Sequence, residues 1–317
     1  QGRGDCKDYA NSMAAILRNL GFTSYVALTF RRSPYHQQKA LQEMAATANF
    51  GYFNHAIVWA KDPSGKVWWI DPTNPVVIAE VLSNDLLGNF ALVLDGVSSS
   101  TQMLPTKNSE PSKLTLSQTF RLKPDNSVEV EGTLSANAVA NNSLSMIEKF
   151  AGAEAMKKTF AALINRANVA AINYKTQSTA NSTTYSINAS ALDWTREKVG
   201  TSRQVFVGHI VQRYTQLGAG LGEWDFGQNE IVDFTTRIKS QVAVDPVDHE
   251  CHGRSRWIDF DRKVTVIGGD TEIKDRVTVK ERFVTEEQFK GAEFGQFFSD
   301  ASECDGASAI LTFMAPP

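Results

Sequence analysis

The chain has 317 residues, 42% hydrophobic and 21% charged, which is ordinary globular composition with length for two domains. A net charge of −3 and a pI near 6.0 leave no global basic field to recruit nucleic acid or an anionic membrane. No apolar run approaches the roughly 20 residues of a membrane span.

In chain order, Gln1-Gly2-Arg3-Gly4 reads as the middle of a longer protein, so a missing leader says little about compartment. Tyr9, Met13, Ile16, Leu17 and Leu20 follow the 3.6-residue period and stop at Gly21, which predicts a helix. Asp5 is the expected N-cap, placing Cys6 in the first turn. SYVALTF (24–30) reads as a strand, and 31–52 as a polar surface excursion with a helical middle. FNHAIVWA (53–60) and KVWWIDPT (66–73) flank Asp62-Pro63-Ser64-Gly65 and predict a β-hairpin. FALVLD (90–95) is a further strand, and the Ser-, Thr- and Pro-rich stretch 98–113 is the expected linker.

After it the texture turns β-rich. Two strands are expected around Pro124-Asp125-Asn126, then a helix over 151–168. Strand-like runs follow at 183–192, 203–217, 231–244, 262–269 and 275–284, with a last helix over 286–303 and a closing strand over 307–313.

Chemistry concentrates in the first 80 residues. Thiolate is the reactive form of cysteine, and a helix N-terminus favours negative charge, so Cys6 is a candidate nucleophile. A thiolate wants an imidazole base, and the imidazole wants an orienting acceptor. His55 in the first hairpin strand and Asp71 at the end of the second offer both. A three-residue loop (62–64) pairs Lys61 with Gly65 and sets His55 directly opposite Asp71, about 5 Å apart on one face. A register pairing Lys61 with Lys66 sets His55 opposite Pro72 instead; the first register is the one expected.

The motifs GDCKDYANSMAAILRNLGF, NHAIVW and WWIDPTNP resemble, in this order, the core of the transglutaminase-like cysteine-enzyme superfamily. The resemblance covers roughly residues 1 to 80. It implies an α+β, papain-like core over 1–97, lacking its N-terminal part, followed over 114–317 by a β-rich domain with a sandwich-like centre and two helices, as in some bacterial envelope proteins. It also implies that Cys6 attacks a peptide or carboxamide carbonyl to form a thioester, that His55 moves the proton and that Asp71 holds the ring. Hydrolysis is favoured over crosslinking, because water needs no second binding site. The Cys6 amide could be one oxyanion donor; only five residues precede it to supply the other. The implied partner is a peptide or protein substrate, with no cofactor, no metal and no nucleic acid, and an N-terminal β-rich domain or chain is expected ahead of the core. The periplasm or cell envelope is the implied compartment, with the cytoplasm as the alternative. The competing reading is a non-catalytic module of the same family that binds polypeptide or glycan.

Other features carry less. Cys251 and Cys304 could pair in an oxidising compartment, leaving Cys6 as the odd thiol. His249-Glu250-Cys251-His252 suggests a metal cluster, but neighbours in a strand point to opposite faces and a disulfide or loop setting is favoured. Arg3-Gly4-Asp5 overlaps the cysteine motif and reads as coincidence, and Gly218-Ala219-Gly220-Leu221-Gly222 reads as a flexible turn. Trp59, Trp68 and Trp69 could line the cleft or fill the core.

Overall fold

The computed structural model describes residues 4–31, 46–47, 49–74, 79, 81–97, 100–125, 127–164, 169–179, 181–191, 195–198, 202–207, 211–215, 224–227, 229–239, 243–245, 248–308 and 310–314. Most of the helical middle expected at 36–48, and the glycine run at 218–222, lie outside them. The chain divides into two units, Gln1–Pro111 with Asn141–Met146, and Ser112–Ala140 with Ile147–Pro317.

In the first unit, helix α1 (Cys6–Asn19) starts at Asp5, whose carboxylate accepts the amides of Lys7 and Asp8 while Asp8 accepts that of Asp5. Gly21 at φ +88° ends it, with the Phe22 amide bonded to the Leu17 carbonyl. Strands β1 (Thr23–Thr29), β2 (His55–Lys61), β3 (Val67–Ile70), β4 (Phe90–Val93) and β5 (Ser100–Met103) form an antiparallel sheet in the order β3-β2-β1-β4-β5. The stretch expected as a linker thus contributes an edge strand.

Alternation divides the sheet into two faces. Ala56, Val58, Ala60 and Ile70 face α1, which meets them through Cys6, Ala10, Met13, Ala14 and Leu17. Alanines on both sides let helix and sheet approach closely. Ala27, Ile57, Trp69, Ala91 and Val93 form the opposite face, covered by Leu82, Leu86, Leu87 and Leu104. Burying each of those leucines stabilises the unit by about 1.5–3 kcal/mol. Tyr9, Ile16 and Leu20, read from the sequence as part of the periodic apolar face, are exposed.

The second unit is built on β6 (Ser112–Leu122), β7 (Val128–Asn137), β8 (Val169–Ser178), β9 (Ser182–Ala191), β10 (Thr195–Lys198), β11 (Ser202–Phe206), β12 (Trp224–Asp225), β13 (Glu230–Ile238), β14 (Ala243–Asp245), β15 (Glu250–Arg254), β16 (Ile258–Ile267), β17 (Asp270–Val279), β18 (Phe283–Val284) and β19 (Ile310–Met314). Among the described residues, eight of them make one mixed sheet, β15-β16-β17-β13-β6-β7-β9-β8, in which β13 and β6 run parallel and the other pairs antiparallel. A four-stranded sheet, β10-β11-β19-β14, and the β12-β18 pair complete the strands. Helices α2 (Ala138–Met146), α3 (Gly152–Leu163), α4 (Gln212–Thr215), α5 (Glu286–Phe289) and α6 (Ala292–Ser308) lie between them in sequence. The run expected as one strand over 203–217 ends at Phe206 and turns helical at Gln212. The helix expected over 286–303 is split in two at residues 290–291.

Phe160 of α3 packs edge-on to Tyr174, with ring centroids 5.1 Å apart, so this helix covers the β8 end of the large sheet. At the other end, Phe297 of α6 meets Phe260, and a Cys251–Cys304 disulfide ties α6 to β15. Gly253 leaves room for the Phe260 ring opposite it; a Cβ there would lie 2.2 Å from a ring carbon.

The fold class expected from the sequence is therefore corrected. The chain is β-rich, with large mixed and antiparallel sheets and few helices, rather than an α+β papain-like core followed by a sandwich-like domain. The reason is the extent of strand pairing. Segments read one at a time as short strands join into sheets of five and eight, through partners such as β6 and β13 that lie far apart in sequence.

Candidate active site

Asp71 follows the last residue of β3, and Pro72 after it has no N–H to extend the ladder. Its carboxylate is buried and has four donors among the described residues. The Thr73 amide and Oγ1 reach Oδ1 at 3.0 and 2.6 Å. Arg31 Nη2 and His55 Nε2 reach Oδ2 at 2.6 and 3.1 Å. Burial pushes the carboxyl up, but the bonds from His55 and Thr73, with the charges of His55 and Arg31, outweigh it and hold the pKa at about 2.

An ionised carboxylate only accepts hydrogen bonds. The neutral His55 ring must therefore carry its proton on Nε2, which leaves the Nδ1 lone pair to take another. His55 is itself buried.

The hairpin register differs from the expected one. Lys61 pairs with Val67 and Val58 with Ile70, around a Pro63-Ser64-Gly65 turn in which Gly65 sits at φ +93°. The Asp62 amide closes it on the Lys66 carbonyl at 3.0 Å. Continued, this register would set His55 opposite Thr73. The ladder stops first, and Asp71 reaches the ring from just beyond the strand end.

Cys6 is the first residue of α1 and a half-buried free thiol. The cap holds the amides of Lys7 and Asp8 and leaves that of Cys6 uncapped. Helix α1 and strand β1 are both about 20 Å long and joined by a tight turn. Cys6 accordingly lies at the end of the sheet where β1 finishes at Thr29, the partner of His55. Alternation sets the His55 side chain on the side of Ile57, whereas α1 covers the side of Ala56. Among the described residues no hydrogen bond joins the Cys6 thiol to the His55 ring. The structure thus brings His55 and Asp71 into contact and sets Cys6 at their end of the sheet without a bond to the ring.

Two further residues of the site escaped sequence reasoning. Arg31 gave no local signal; β1 carries it beside Asp71 because β1 pairs with β2. Asp85 holds the same guanidinium from the other side, with Nη1 to Oδ2 at 3.1 Å. Thr73 was in view as part of Asp-Pro-Thr. Of the tryptophans, Trp59 and Trp69 pack in the core face away from α1, and Trp68 packs on the α1 side. Cys251 of the suspected metal cluster is in the disulfide, and the described residues hold no metal-ligating group of three.

Among known proteins, no protein family and no curated protein matches the chain. A crystal structure of a protein from Parabacteroides distasonis, provisionally described as a protease, is similar in fold at 9% identity and a TM-score of 0.47. The likeness covers 96% of this chain and 43% of that one, so the chain spans less than half the length of that protein. No described helix is long and apolar enough to cross a membrane.

Proposed function

We propose that the chain is a thiol acyl-transfer enzyme of the transglutaminase-like kind, acting on peptide or carboxamide bonds and favouring hydrolysis. Cys6 is the nucleophile, His55 the base that takes the thiol proton at Nδ1 and returns it to the leaving amine, and Asp71 the acceptor that orients the ring. The supporting observation is the four-donor Asp71 carboxylate, because it leaves the His55 ring one tautomer and one lone pair. The attack forms a C–S bond to the carbonyl carbon, expels the amine with the proton held by His55, and leaves a thioester for water to cleave. The uncapped Cys6 amide is suited to donate to the oxyanion. The Cys251–Cys304 disulfide supports an oxidising compartment, and we place the protein in the bacterial envelope.

Two observations favour the second reading, a non-catalytic module that binds polypeptide or glycan: the His55 side chain stands on the face away from α1, and the thiol and the ring are not hydrogen-bonded. A peptide-amide probe with a thiol-reactive group separates the two. Labelling that disappears in Cys6→Ala and weakens in His55→Ala supports the enzyme. An absence of labelling from about pH 6 to 9 supports the binding module.

A further inference from the structure

The Asp71 oxygen that meets His55 is shared. Arg31 Nη2 lies 2.6 Å from that same Oδ2, while Arg31 Nη1 lies 3.1 Å from Asp85 Oδ2. The bridge is fixed at both ends. Ser83 Oγ donates to Asp85 Oδ1 at 2.5 Å, and Asn89 Nδ2 donates to the Asp85 and Phe30 carbonyls at 2.7 and 2.9 Å. The Arg31 amide is in turn held by Asn54 Oδ1 at 2.7 Å, one residue before His55. One guanidinium therefore bridges the carboxylate that follows β3 and the one before β4, while the Arg31 backbone amide is tied to the residue before β2.

We propose that Arg31 is a positioning residue for the His55–Asp71 pair: bridged between Asp85 and Asp71, it fixes the oxygen that receives the His55 Nε2–H and sets how much negative charge the imidazole faces. The inference rests on the reading of His55 as a base. A guanidinium suits the task, because its planar fork can bond two carboxylates at once and stays charged. Without it, Asp71 Oδ2 keeps one donor and an uncompensated charge. The imidazolium is then overstabilised, and the ring is freed for proton transfer only at higher pH. Asp85 opposes Arg31 by drawing on the same cation, so neutralising Asp85 should act in the opposite direction to removing Arg31.

The test follows the His55 ring resonances by NMR against pH in the unaltered protein, Arg31→Gln, Arg31→Lys and Asp85→Asn, with Cys6 labelling rates measured in parallel. The Arg31 side chain is 35% exposed but pairs with the buried Asp71, so Arg31→Lys, which keeps the charge, serves as the folding control. Arg31→Gln should move the ring midpoint up and the acid limb of labelling with it. Arg31→Lys should restore part of the shift, and Asp85→Asn should move the midpoint down. Superimposable ring titrations in all four proteins would overturn the proposal. The ring titration needs no reaction at Cys6, so the two readings fail separately. Shifted rings without labelling keep the role of Arg31 and remove the enzyme; labelling with unshifted rings does the reverse.

Discussion

His55 and Asp71 meet through one oxygen, Nε2 to Oδ2 at 3.1 Å, although the ladder joining their strands has already ended at Val58 and Ile70. The contact comes from side chains reaching past a strand end, so its persistence depends on what holds the Asp71 carboxylate.

Asp71 falls from an ordinary 3.8 to about 2 in the folded chain. The folded value lies below the unfolded one, so its contribution is full above about pH 4 and is lost as pH falls through about 2; it amounts to about 2 kcal/mol. Unfolding free energies of the unaltered protein and Asp71→Asn, from urea titrations, should converge by that amount between about pH 4 and 2. A constant difference would contradict the assignment.

Thr73 supplies half of the donors to that carboxylate, including the 2.6 Å hydroxyl bond. Thr73→Val keeps the shape and the amide but removes the hydroxyl. It should cost about 1.5–3 kcal/mol of stability, as expected for a bond to a charged group, and slow Cys6 labelling. Thr73→Ser should recover most of both.

The disulfide makes a thiol count decisive. The native protein should show one reactive thiol, at Cys6, and three after reduction and unfolding. Cys251 and Cys304 are 53 residues apart, a loop whose closure is worth about 4 kcal/mol in the chain-entropy account. Reduction should lower the urea midpoint of the second unit accordingly, and Cys304→Ala should reproduce it.

Gly253 faces the Phe260 ring across the β15–β16 pair, with a ring carbon 2.2 Å from where a Cβ would stand. Gly253→Ala should destabilise the second unit by about 1–3 kcal/mol, because the ring must leave its site against α6. Thermal melting would show the change, and an unaltered midpoint would contradict the packing described.

What the sequence revealed was local. Asp5 as a cap, Cys6 at a helix start and the two strands around Asp62-Pro63-Ser64-Gly65 could be read from neighbours alone. The hairpin register could not, because Gly65 in the left-handed region shifts the turn to residues 63–65 and changes every pair beyond it. Arg31 was invisible because its place depends on β1 lying beside β2, not on any spacing. The apolar stripe of α1 misled because Ala10 and Ala14, small enough for close packing, take the buried face while Ile16 and Leu20 stay outside. The fold class failed for a related reason. A strand's partners are set by distant sequence, and the pairing of β6 with β13 has no local signature.

The most direct test of the account is the pH profile of Cys6 alkylation by iodoacetamide in the unaltered protein, His55→Ala and Asp71→Asn. If sulfur, ring and carboxylate act together, the unaltered protein is alkylated readily at neutral pH and both substitutions slow that reaction strongly. Three superimposable curves would contradict it, and Cys6 would then be a lone cysteine at the start of a helix.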